Sequence, residues 1–303
     1  MSLVNAKELL IKAKNKKQAV GAFNFTNFEQ LKAIVNACKK ENTGCILAVS
    51  ESAIAFMGID NIIEIVKNET KNTKVKFALH LDHGKSYEIC KKCIDAGFTS
   101  VMIDASHFNF EDNIKLTKKV VKYAKKFNVS VEAELGKIEG IEDNTKSLES
   151  ILTSPTDAVN FIKKTGIDSL AVSIGTSHGA YKFKGESKLQ IELLKQINKA
   201  TNFFPLVLHG ASSLNENLIL NFEKFGGKIN GAKGVDDNSI KQSIKYGICK
   251  INVDTDLRIA FTTGIKETLQ NESIFNLREY LKNAMKRTEY EVIKKLQLFS
   301  LKV

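Results

Sequence analysis

Three stretches repeat one pattern and decide the fold: AGFTSVMIDAS (96–106), TGIDSLAVSIG (165–175) and YGICKINVDTD (246–256). In each, a glycine follows a helical pattern and precedes an apolar run, as expected where a left-handed residue ends a helix before a strand begins. The interval from this glycine to the end of the apolar run is the same in all three. The strand ends that this interval aligns are Asp104, Ser173 and Asp254.

Apolar runs of this kind recur along the whole chain, and each is followed by a helical pattern. They are VGAFNF (20–25), GCILAVS (44–50), KFALHLD (76–82), SVMIDAS (100–106), SVEAELG (130–136), SLAVSIGT (169–176), PLVLHG (205–210) and ICKINVDT (248–255). Eight such units over about 250 residues are typical of an α/β protein with a (β/α)8 TIM barrel. A doubly wound parallel sheet is the alternative, but no GxGxxG follows the first strand. We predict one barrel domain over 1–303.

Composition and charge indicate a globular protein without nucleic-acid or membrane partners. Lysine and arginine number 45 against 34 acidic residues, a net charge of +11, but the lysines are spread along helical patterns and no nucleic-acid motif accompanies them. The first twenty residues are interrupted by lysines, and the longest uncharged stretch, 201–215, is too short to cross a bilayer. Five scattered cysteines, including CKKC (90–93) in a helical pattern, indicate packed thiols in a reducing cytoplasm.

Histidines follow three of the predicted strands, the third, sixth and seventh: His83, His178 and His209. Because a closed barrel brings the carboxyl ends of its strands to one rim, three imidazoles with a vacant fourth position predict a catalytic zinc site. The alternative is a set of unrelated rim histidines. His80 and His107 are weaker candidates; His80 lies deeper in its strand, where a hydrogen-bonding or packing role is expected.

Three tips rich in small residues belong to the last three predicted strands: GTSHGAYK (175–182), LHGASS (208–213) and NVDT (252–255). Backbone amides, hydroxyls and one lysine at adjacent tips predict a phosphate-binding cradle. The long polar segment 137–155, which follows the fifth strand, is predicted to be a mobile lid carrying Glu142; a surface loop without function is the alternative.

Together these motifs resemble the metal-dependent, class II fructose-bisphosphate aldolases, in particular the shorter branch of that family. The stretches that carry the resemblance are GAFNF, LHLDHG, AGFTSVMIDASH, VEAELG, IGTSHGAYK, LVLHGAS and NVDTDLR. The resemblance implies a lyase of glycolysis and gluconeogenesis that cleaves fructose 1,6-bisphosphate reversibly to dihydroxyacetone phosphate and glyceraldehyde 3-phosphate. It also implies Zn²⁺, with Co²⁺ as a substitute, and a monovalent cation.

The resemblance further implies residue roles. His83, His178 and His209 match the zinc ligands, and Glu134 matches an alternative or nearby ligand. Asp82 matches the group that protonates the aldehyde oxygen during condensation, and Glu142 matches the base. Positions that match substrate-binding residues are Asn24, Ser50, Gly179, Lys182, Gly210, Ser212, Asn252, Asp254, Thr255, Arg258 and Arg278.

Arg278 matches a phosphate-binding arginine from a neighbouring subunit, so the resemblance implies a homo-oligomer, either a dimer or a tetramer. Its surroundings, NLREYL, depart from the commoner Asp-Pro-Arg of the family.

Other functions agree less well with these sequence features. A Schiff-base lysine would be another route to aldol cleavage, but no lysine is expected at a strand tip inside the barrel. A tagatose-bisphosphate aldolase is the nearest alternative, and Asp254 predicts a preference for fructose 1,6-bisphosphate. A barrel metallohydrolase would want His-x-His in the first strand, which GAFNF lacks. A nucleic-acid-binding protein would explain the charge of +11 but not the rim residues.

Overall fold

The structure is a computed structural model that describes the backbone of residues 2–137, 139–142, 145–147, 151–178, 189–229 and 234–301. Side chains are described for the same residues except 139–142, 145–147 and 177–178.

Eight parallel strands close into a barrel, in the order β1-β11-β10-β8-β5-β4-β3-β2. The strands are β1 (Val20–Asn24), β2 (Cys45–Val49), β3 (Phe77–Gly84), β4 (Ser100–Ile103), β5 (Ser130–Leu135), β8 (Ser169–Val172), β10 (Leu206–Leu208) and β11 (Ile248–Val253). Each predicted apolar run contributes one of them, so the prediction of a (β/α)8 barrel is confirmed.

Helices cover the outside of the barrel. They are α1 (Ala6–Asn15), α2 (Phe28–Lys40), α3 (Glu51–Met57), α4 (Ile59–Thr70), α5 (Tyr87–Ala96), α6 (Phe110–Ala124), α7 (Pro155–Thr165), α8 (Ile191–Ala200), α9 (Glu216–Lys224), α10 (Asp237–Lys245), α11 (Thr255–Thr268) and α12 (Leu277–Phe299), with a 3-10 turn at Lys125–Phe127. None of the helices in the described part of the chain is long and apolar enough to cross a membrane.

Local sequence signals start and end these helices. Ser86 caps α5 by accepting a hydrogen bond from the Ile89 amide, and Ser154 caps α7, whose first residue is a proline. Gly97 and Gly166 end the same two helices with φ angles of 105° and 70°. Other residue types adopt this left-handed backbone only with strain, which explains the glycine in the repeated pattern.

The strands are buried on both faces, as parallel strands covered by helices must be. Apolar side chains fill the layer between strands and helices. At the amino end of the barrel, Leu9 and Leu10 of α1 pack against Val20, Ile46 and Ala78, the early residues of β1, β2 and β3. This end is therefore closed by apolar packing, which leaves the carboxyl end for polar groups.

The segment 137–155 contains two short antiparallel strands, β6 (Glu139–Glu142) and β7 (Thr145–Ser147), and β6 also pairs with β9 (Ser177–His178). Where the sequence predicted only a loop, the described residues form a small three-stranded sheet beside the barrel rim. The predicted mobility of this segment stays a prediction.

All five cysteines are buried free thiols. Cys90 and Cys93 belong to the buried face of α5. Burial raises the pKa of the Cys93 thiol to about 12 and that of Cys249 to about 12 as well. These thiols are protonated at neutral pH, which agrees with the packing role predicted for CKKC.

Candidate active site

Two consecutive residues of β3, Asp82 and His83, both reach the site at the carboxyl end of the barrel. In a regular strand neighbouring side chains point to opposite faces. Here His83 has a φ of 47°, and the pairing of β3 with β4 shifts register between Leu81 and Gly84. A positive φ is uncommon for a residue other than glycine, and such strain is concentrated at functional sites. This local irregularity aims two polar side chains at one place.

His83 and His209 meet edge to face at this rim. Their ring centroids are 4.5 Å apart with an interplanar angle of 77°, and Nε2 of His83 lies 2.8 Å from Nδ1 of His209. His209 directly follows β10, and both rings are buried, His209 completely. Two of the three predicted zinc-binding histidines are thus brought together by the closure of the barrel.

The opposite nitrogen of each ring faces a carboxylate. His83 Nδ1 lies 2.9 Å from Asp104 Oδ2, and His209 Nε2 lies 2.8 Å from Glu132 Oε1. An ionised carboxylate only accepts hydrogen bonds, so both of these nitrogens carry a proton. The facing nitrogens, His83 Nε2 and His209 Nδ1, are then both left with lone pairs, which repel unless a cation or a proton lies between them. The donor set therefore fits a bound metal cation.

Carboxylates complete two groups of side chains that could hold a metal ion, and His83 belongs to both. Asp82, His83 and His209 form one group; His83, Asp104 and Glu134 form the other, with ligand atoms within 4.8 Å of one another in each. Glu134 Oε2 lies 3.9 Å from His83 Nδ1. The described residues thus offer nitrogen and carboxylate oxygen ligands, a mixture that zinc accepts.

The acid–base balance of the site favours a charged carboxylate at Asp104 and a neutral imidazole at His209. Burial raises the pKa of Asp104, but hydrogen bonds from His83 and Ser106 outweigh this effect and hold the pKa well below its usual value. Burial is the main cause that lowers the pKa of His209, and it outweighs the opposite effect of the nearby Glu132. A neutral imidazole is the form that binds metals.

Asp82 is held between two amide side chains. Nδ2 of Asn24 donates to Asp82 Oδ2 at 2.9 Å, and Nδ2 of Asn252 donates to Asp82 Oδ1 at 2.9 Å. These asparagines come from β1 and β11, so three strands fix one carboxylate that is only 2% exposed. Among the described residues, the Oδ1 atoms of both asparagines are buried and have no hydrogen-bond partner. They are acceptors that a bound hydroxyl could use.

Below this rim lies a buried polar network that the sequence analysis missed. Lys250 Nζ lies 2.9 and 2.7 Å from the two oxygens of Glu132 and 3.2 Å from Nε2 of His80. Nδ1 of His80 lies 2.8 Å from Ser100 Oγ. Burial and then the charge of Lys250 lower the pKa of His80 to about 3. His80 therefore has the hydrogen-bonding role expected for it.

Lys250 is an interior lysine that was not identified from the sequence, and the expectation that no lysine lies at a strand tip inside the barrel is not contradicted by it. It lies inside the barrel and is fully buried, although in the middle of β11 rather than at its tip. The sequence could have indicated this, because side chains two residues apart in a strand point to the same face. Lys250 is therefore expected on the same face as Asn252 and Asp254, and Glu132 on the same face as Glu134. A charge at an inward position of a buried strand requires a partner, and each is the partner of the other.

The predicted phosphate cradle is described only in part. Gly210 has a φ of 62°, which permits the turn after His209, and Ser212 in the same loop is buried. Asp256 Oδ2 and Oδ1 accept hydrogen bonds from the amides of Ser213 and Leu214 at 3.0 and 2.9 Å. Helix α11, in which Asp256 lies, thus fixes the backbone of this loop.

A second buried ion pair supports the same loop from the C-terminal helix. Lys295 of α12 lies 2.9 Å from Asp256 Oδ2, 3.6 Å from Glu291 Oε1 and close to the hydroxyl of Ser213. Gly234 passes so near the loop that a Cβ there would lie 2.3 Å from the Ser212 carbonyl oxygen. Three separate segments therefore position the loop after β10.

The remaining candidates are distributed around the rim or fall outside the described residues. Asp254 Oδ1 lies 2.9 Å from Arg258 Nε, and Thr255 begins α11. Ser50 Oγ accepts a hydrogen bond from the Ala53 amide at the start of α3, and Arg278 is exposed at the start of α12. Gly179 and Lys182 lie outside the described residues.

His178 and Glu142 are described only by their backbones. His178 lies opposite Gly140 in the pairing of β9 with β6, and Glu142 is the last residue of β6. Their roles stay predictions, since their side chains lie outside the described residues. His107 is exposed, and its ring is tilted by 40° against that of Phe108 with the centroids 4.1 Å apart. Among the described residues, it belongs to neither of the two groups that could hold a metal ion.

Comparisons with known proteins agree with this architecture. The chain matches the family described as "Fructose-bisphosphate aldolase class-II" over residues 4–302. It is 46% identical over 300 residues to the fructose-bisphosphate aldolase of Helicobacter pylori, covering 98% of this chain and 97% of that protein. The fructose-bisphosphate aldolase of Thermus caldophilus is 44% identical, with 98% of each chain covered.

A solved structure shows the same relationship in three dimensions. The crystal structure of the YdjI aldolase from Escherichia coli K12 superposes with a TM-score of 0.80 at 29% identity, covering 98% of this chain and 97% of that one. Family match, full-length identity and a shared barrel lead to one conclusion: the chain belongs to the class II fructose-bisphosphate aldolase family.

Proposed function

We propose that this site cleaves fructose 1,6-bisphosphate reversibly to dihydroxyacetone phosphate and glyceraldehyde 3-phosphate, in glycolysis and gluconeogenesis. The observation that carries this proposal is the buried carboxylate of Asp82, fixed by Asn24 and Asn252 next to the facing nitrogens of His83 and His209. A positioned acid–base group beside a site for positive charge is what aldol cleavage requires.

The family is generally metal-dependent, and we propose zinc, with cobalt as a substitute, as the metal of this chain. His83, His178 and His209 would hold it, with Glu134 nearby. When bound, the cation acts as a Lewis acid that stabilises negative charge on the ketone-bearing fragment. The facing lone pairs of His83 and His209 support such a cation. In addition to this divalent metal, we propose that the enzyme binds a monovalent cation.

The residues of the chain supply the proton transfers. In the cleavage direction Asp82 takes the proton of the C4 hydroxyl as the bond between C3 and C4 breaks, and in condensation it returns that proton to the aldehyde oxygen. We assign the transfer of a proton to C3 of the departing fragment to Glu142. The Oδ1 atoms of Asn24 and Asn252, buried acceptors without partners among the described residues, suit the donating hydroxyls of a sugar.

The phosphates are assigned to the rim loops. Gly179, Lys182, Gly210, Ser212 and Thr255 would bind the phosphate of the ketose end, where small residues and amides favour an anion. Ser50 would bind the second phosphate together with Arg278 of a neighbouring subunit. Phe275 and Leu277, beside Arg278, are 91% and 61% exposed. Exposed apolar residues next to a charged one support a homo-oligomeric contact.

The substrate preference is proposed to be for fructose rather than tagatose 1,6-bisphosphate. The relatives that cover the whole chain at 44 to 46% identity are named fructose-bisphosphate aldolases. Asp254 is the residue to which we assign the discrimination. Its ion pair with Arg258 holds the carboxylate at the rim, where it can accept hydrogen bonds from sugar hydroxyls.

We further propose that the enzyme acts in the cytoplasm.

A chelation experiment tests the function. Cleavage of fructose 1,6-bisphosphate is followed in a coupled assay before and after prolonged treatment with a chelator, while the metal content is measured in parallel. We expect activity to be lost with the metal and restored by Zn²⁺ or Co²⁺. Full activity in metal-free protein, or trapping of substrate on Lys250 or another lysine by borohydride, contradicts the proposal.

A further inference from the structure

The network below the rim connects the middle of the barrel to one metal-site histidine. Glu132 of β5 contacts Lys250 of β11 and, with the same Oε1 atom, His209 after β10. Ser169 Oγ donates to its other oxygen at 3.3 Å. Glu132 is 2% exposed, and Lys250 and His209 are fully buried. Almost none of this cluster is accessible to water, so its charges depend on contacts with neighbouring side chains.

Stability does not account for this arrangement. Two charges taken out of water lose their hydration, and apolar side chains of similar volume in the same place are often as stable or more so. The centre of a barrel is ordinarily filled by branched apolar residues. A charged pair at this depth is therefore better explained by what Glu132 does to the ring of His209.

Glu132 decides which nitrogen of His209 carries the proton. Its carboxylate accepts the hydrogen of Nε2, so Nδ1 keeps its lone pair and faces Nε2 of His83 across 2.8 Å. Lys250 contributes by holding the carboxylate in position from the other side. His80, which accepts from Lys250 and donates to Ser100, holds the ammonium in turn.

We propose that Glu132 and Lys250 are positioning residues that fix the tautomer and ring orientation of His209 so that Nδ1 can bind a metal ion. This inference rests on the proposed function in that it takes His209 as a metal ligand. It adds two residues to those proposed for the metal site and gives each a separate role. Glu132 determines the tautomer of His209, and Lys250 determines the orientation of Glu132.

The substitution Glu132→Gln separates this role from simple packing, since the amide has the same shape. Lys250 Nζ lies nearer to Oε2 of Glu132, at 2.7 Å, than to Oε1, at 2.9 Å, and Ser169 also donates to Oε2. We therefore expect the amide oxygen of the variant to take the Oε2 position and the amide NH₂ to take the Oε1 position, which faces His209. That donor faces Nε2, forces the proton to Nδ1 and removes the lone pair from the site. We expect affinity for Zn²⁺, measured by competition with a chromophoric chelator, to fall roughly 10- to 100-fold.

The double variant Glu132→Gln/Lys250→Met is the decisive comparison. Without the ammonium, the amide oxygen is available to Nε2–H of His209 again, and we expect the double variant to bind Zn²⁺ several-fold more tightly than Glu132→Gln alone. A packing role predicts the reverse, because two changes in one buried cluster would damage it more than one. A double variant no tighter than the single one overturns the proposal.

Glu267→Gln serves as the control. Glu267 is also a carboxylate held by a cationic side chain, Arg287, but this pair joins α11 to α12 rather than to a strand of the barrel. Its substitution is expected to leave the Zn²⁺ affinity unchanged. Wild-type protein that binds no zinc would overturn the proposed function itself, whereas wild type and Glu132→Gln that bind zinc equally would overturn only the present inference.

A measurement on the wild-type protein keeps the proposal testable if the variants do not fold. The chain has only five histidines, so their ring nitrogens can be resolved by long-range ¹H–¹⁵N correlation spectra of labelled protein. We expect His209 to be protonated at Nε2 both without metal and with Zn²⁺, and the Nδ1 signal to shift when Zn²⁺ is added. A proton found on Nδ1 while Nε2 is unprotonated overturns the proposal.

Discussion

The ionisation and orientation of single residues in this site depend on their hydrogen-bond and charge partners more than on the residue type. Asp82 lies between two amides, whereas Asp104 pairs with a histidine and has a pKa held well below its usual value. Glu132, although deeper than both, is ionised because the charge of Lys250 and the hydrogen bond with His209 outweigh the effect of burial on its pKa. The same functional group is thus proposed to transfer a proton at Asp82 and to support a histidine at Glu132.

Asp82→Ala is predicted to retain the fold and the metal while losing most of the cleavage activity. General acid–base groups typically contribute about 10²- to 10⁴-fold, so kcat should fall by that order. The measurement combines the coupled cleavage assay with metal analysis and thermal unfolding of the same preparation. A variant that binds metal like the wild type and cleaves within tenfold of its rate would remove Asp82 from the chemistry.

Asp254→Ala is predicted to narrow the preference between fructose and tagatose 1,6-bisphosphate. These substrates differ only in the configuration at C4, so a fixed carboxylate at the rim can satisfy the hydroxyls of one and not of the other. Fructose cleavage should therefore fall far more than tagatose cleavage. The values of kcat/KM for both bisphosphates decide this, and equal ratios in wild type and variant would exclude Asp254 from the discrimination.

Arg258→Ala is the appropriate control for that prediction. The ion pair between Asp254 and Arg258 supports the alternative that Asp254 merely orients its neighbour. If the two variants change both substrates alike, orientation of Arg258 is the explanation; if only Asp254→Ala alters the ratio, the carboxylate itself contacts the sugar.

Secondary-structure elements assemble this site in ways that no single element could. Strand β3 delivers two neighbouring side chains to one face through a register shift, which a regular strand does not allow. Helices α11 and α12 fix the loop after β10 through Asp256 and Lys295. The β6–β7 hairpin carries Glu142 beside the rim.

Glu142→Ala is predicted to slow the exchange of the dihydroxyacetone phosphate proton with solvent, because the variant lacks the base assigned to that carbon. A loss of about 10²- to 10⁴-fold is expected for such a group. Exchange is followed by NMR with dihydroxyacetone phosphate alone, which isolates this step from bond cleavage. Glu139→Ala, in the same strand, is the control, and exchange at the wild-type rate in Glu142→Ala would place the base elsewhere.

At the scale of the whole molecule, the buried network makes stability depend on pH. In the folded protein the pKa of His80 is lowered to about 3, whereas an unfolded histidine binds a proton near pH 6.5. Between these values the unfolded state binds more protons, so the free energy of unfolding falls as the pH falls. The lowered pKa values of Glu132 and Asp104 add to this loss below about pH 4.5.

Urea unfolding of chelator-treated protein at pH 7.5, 6.5, 5.5 and 4.5 tests this dependence. The free energy of unfolding should decline towards acid, with a slope of at most about 1.4 kcal/mol per pH unit for each proton involved. His80→Asn should show a shallower decline between pH 6.5 and 4.5. A flat profile in the wild type, or the same slope in His80→Asn, would show that His80 does not control it.

The sequence by itself determined the barrel and the positions that reach its rim. Fully apolar strands must be covered on both faces, and glycines at a constant interval end the preceding helices, so eight units and their tips follow from local patterns. His83 and His209 were identified because polar residues at the ends of such strands must face the same rim, whereas the role of Asp82 was inferred from the family resemblance.

Only the tertiary structure decided which side chains meet inside the barrel. The contact of Glu132 with Lys250 joins residues 118 positions apart, and alternation gives the direction of a side chain but not its partner across a closed barrel. The inward direction of the His83 side chain depends on a left-handed backbone at this residue and on a register shift between β3 and β4. Neither feature can be predicted from the residue types in this strand. Both depend on strand closure and pairing over long range, because a buried charge is stabilised by whichever distant group the fold places beside it.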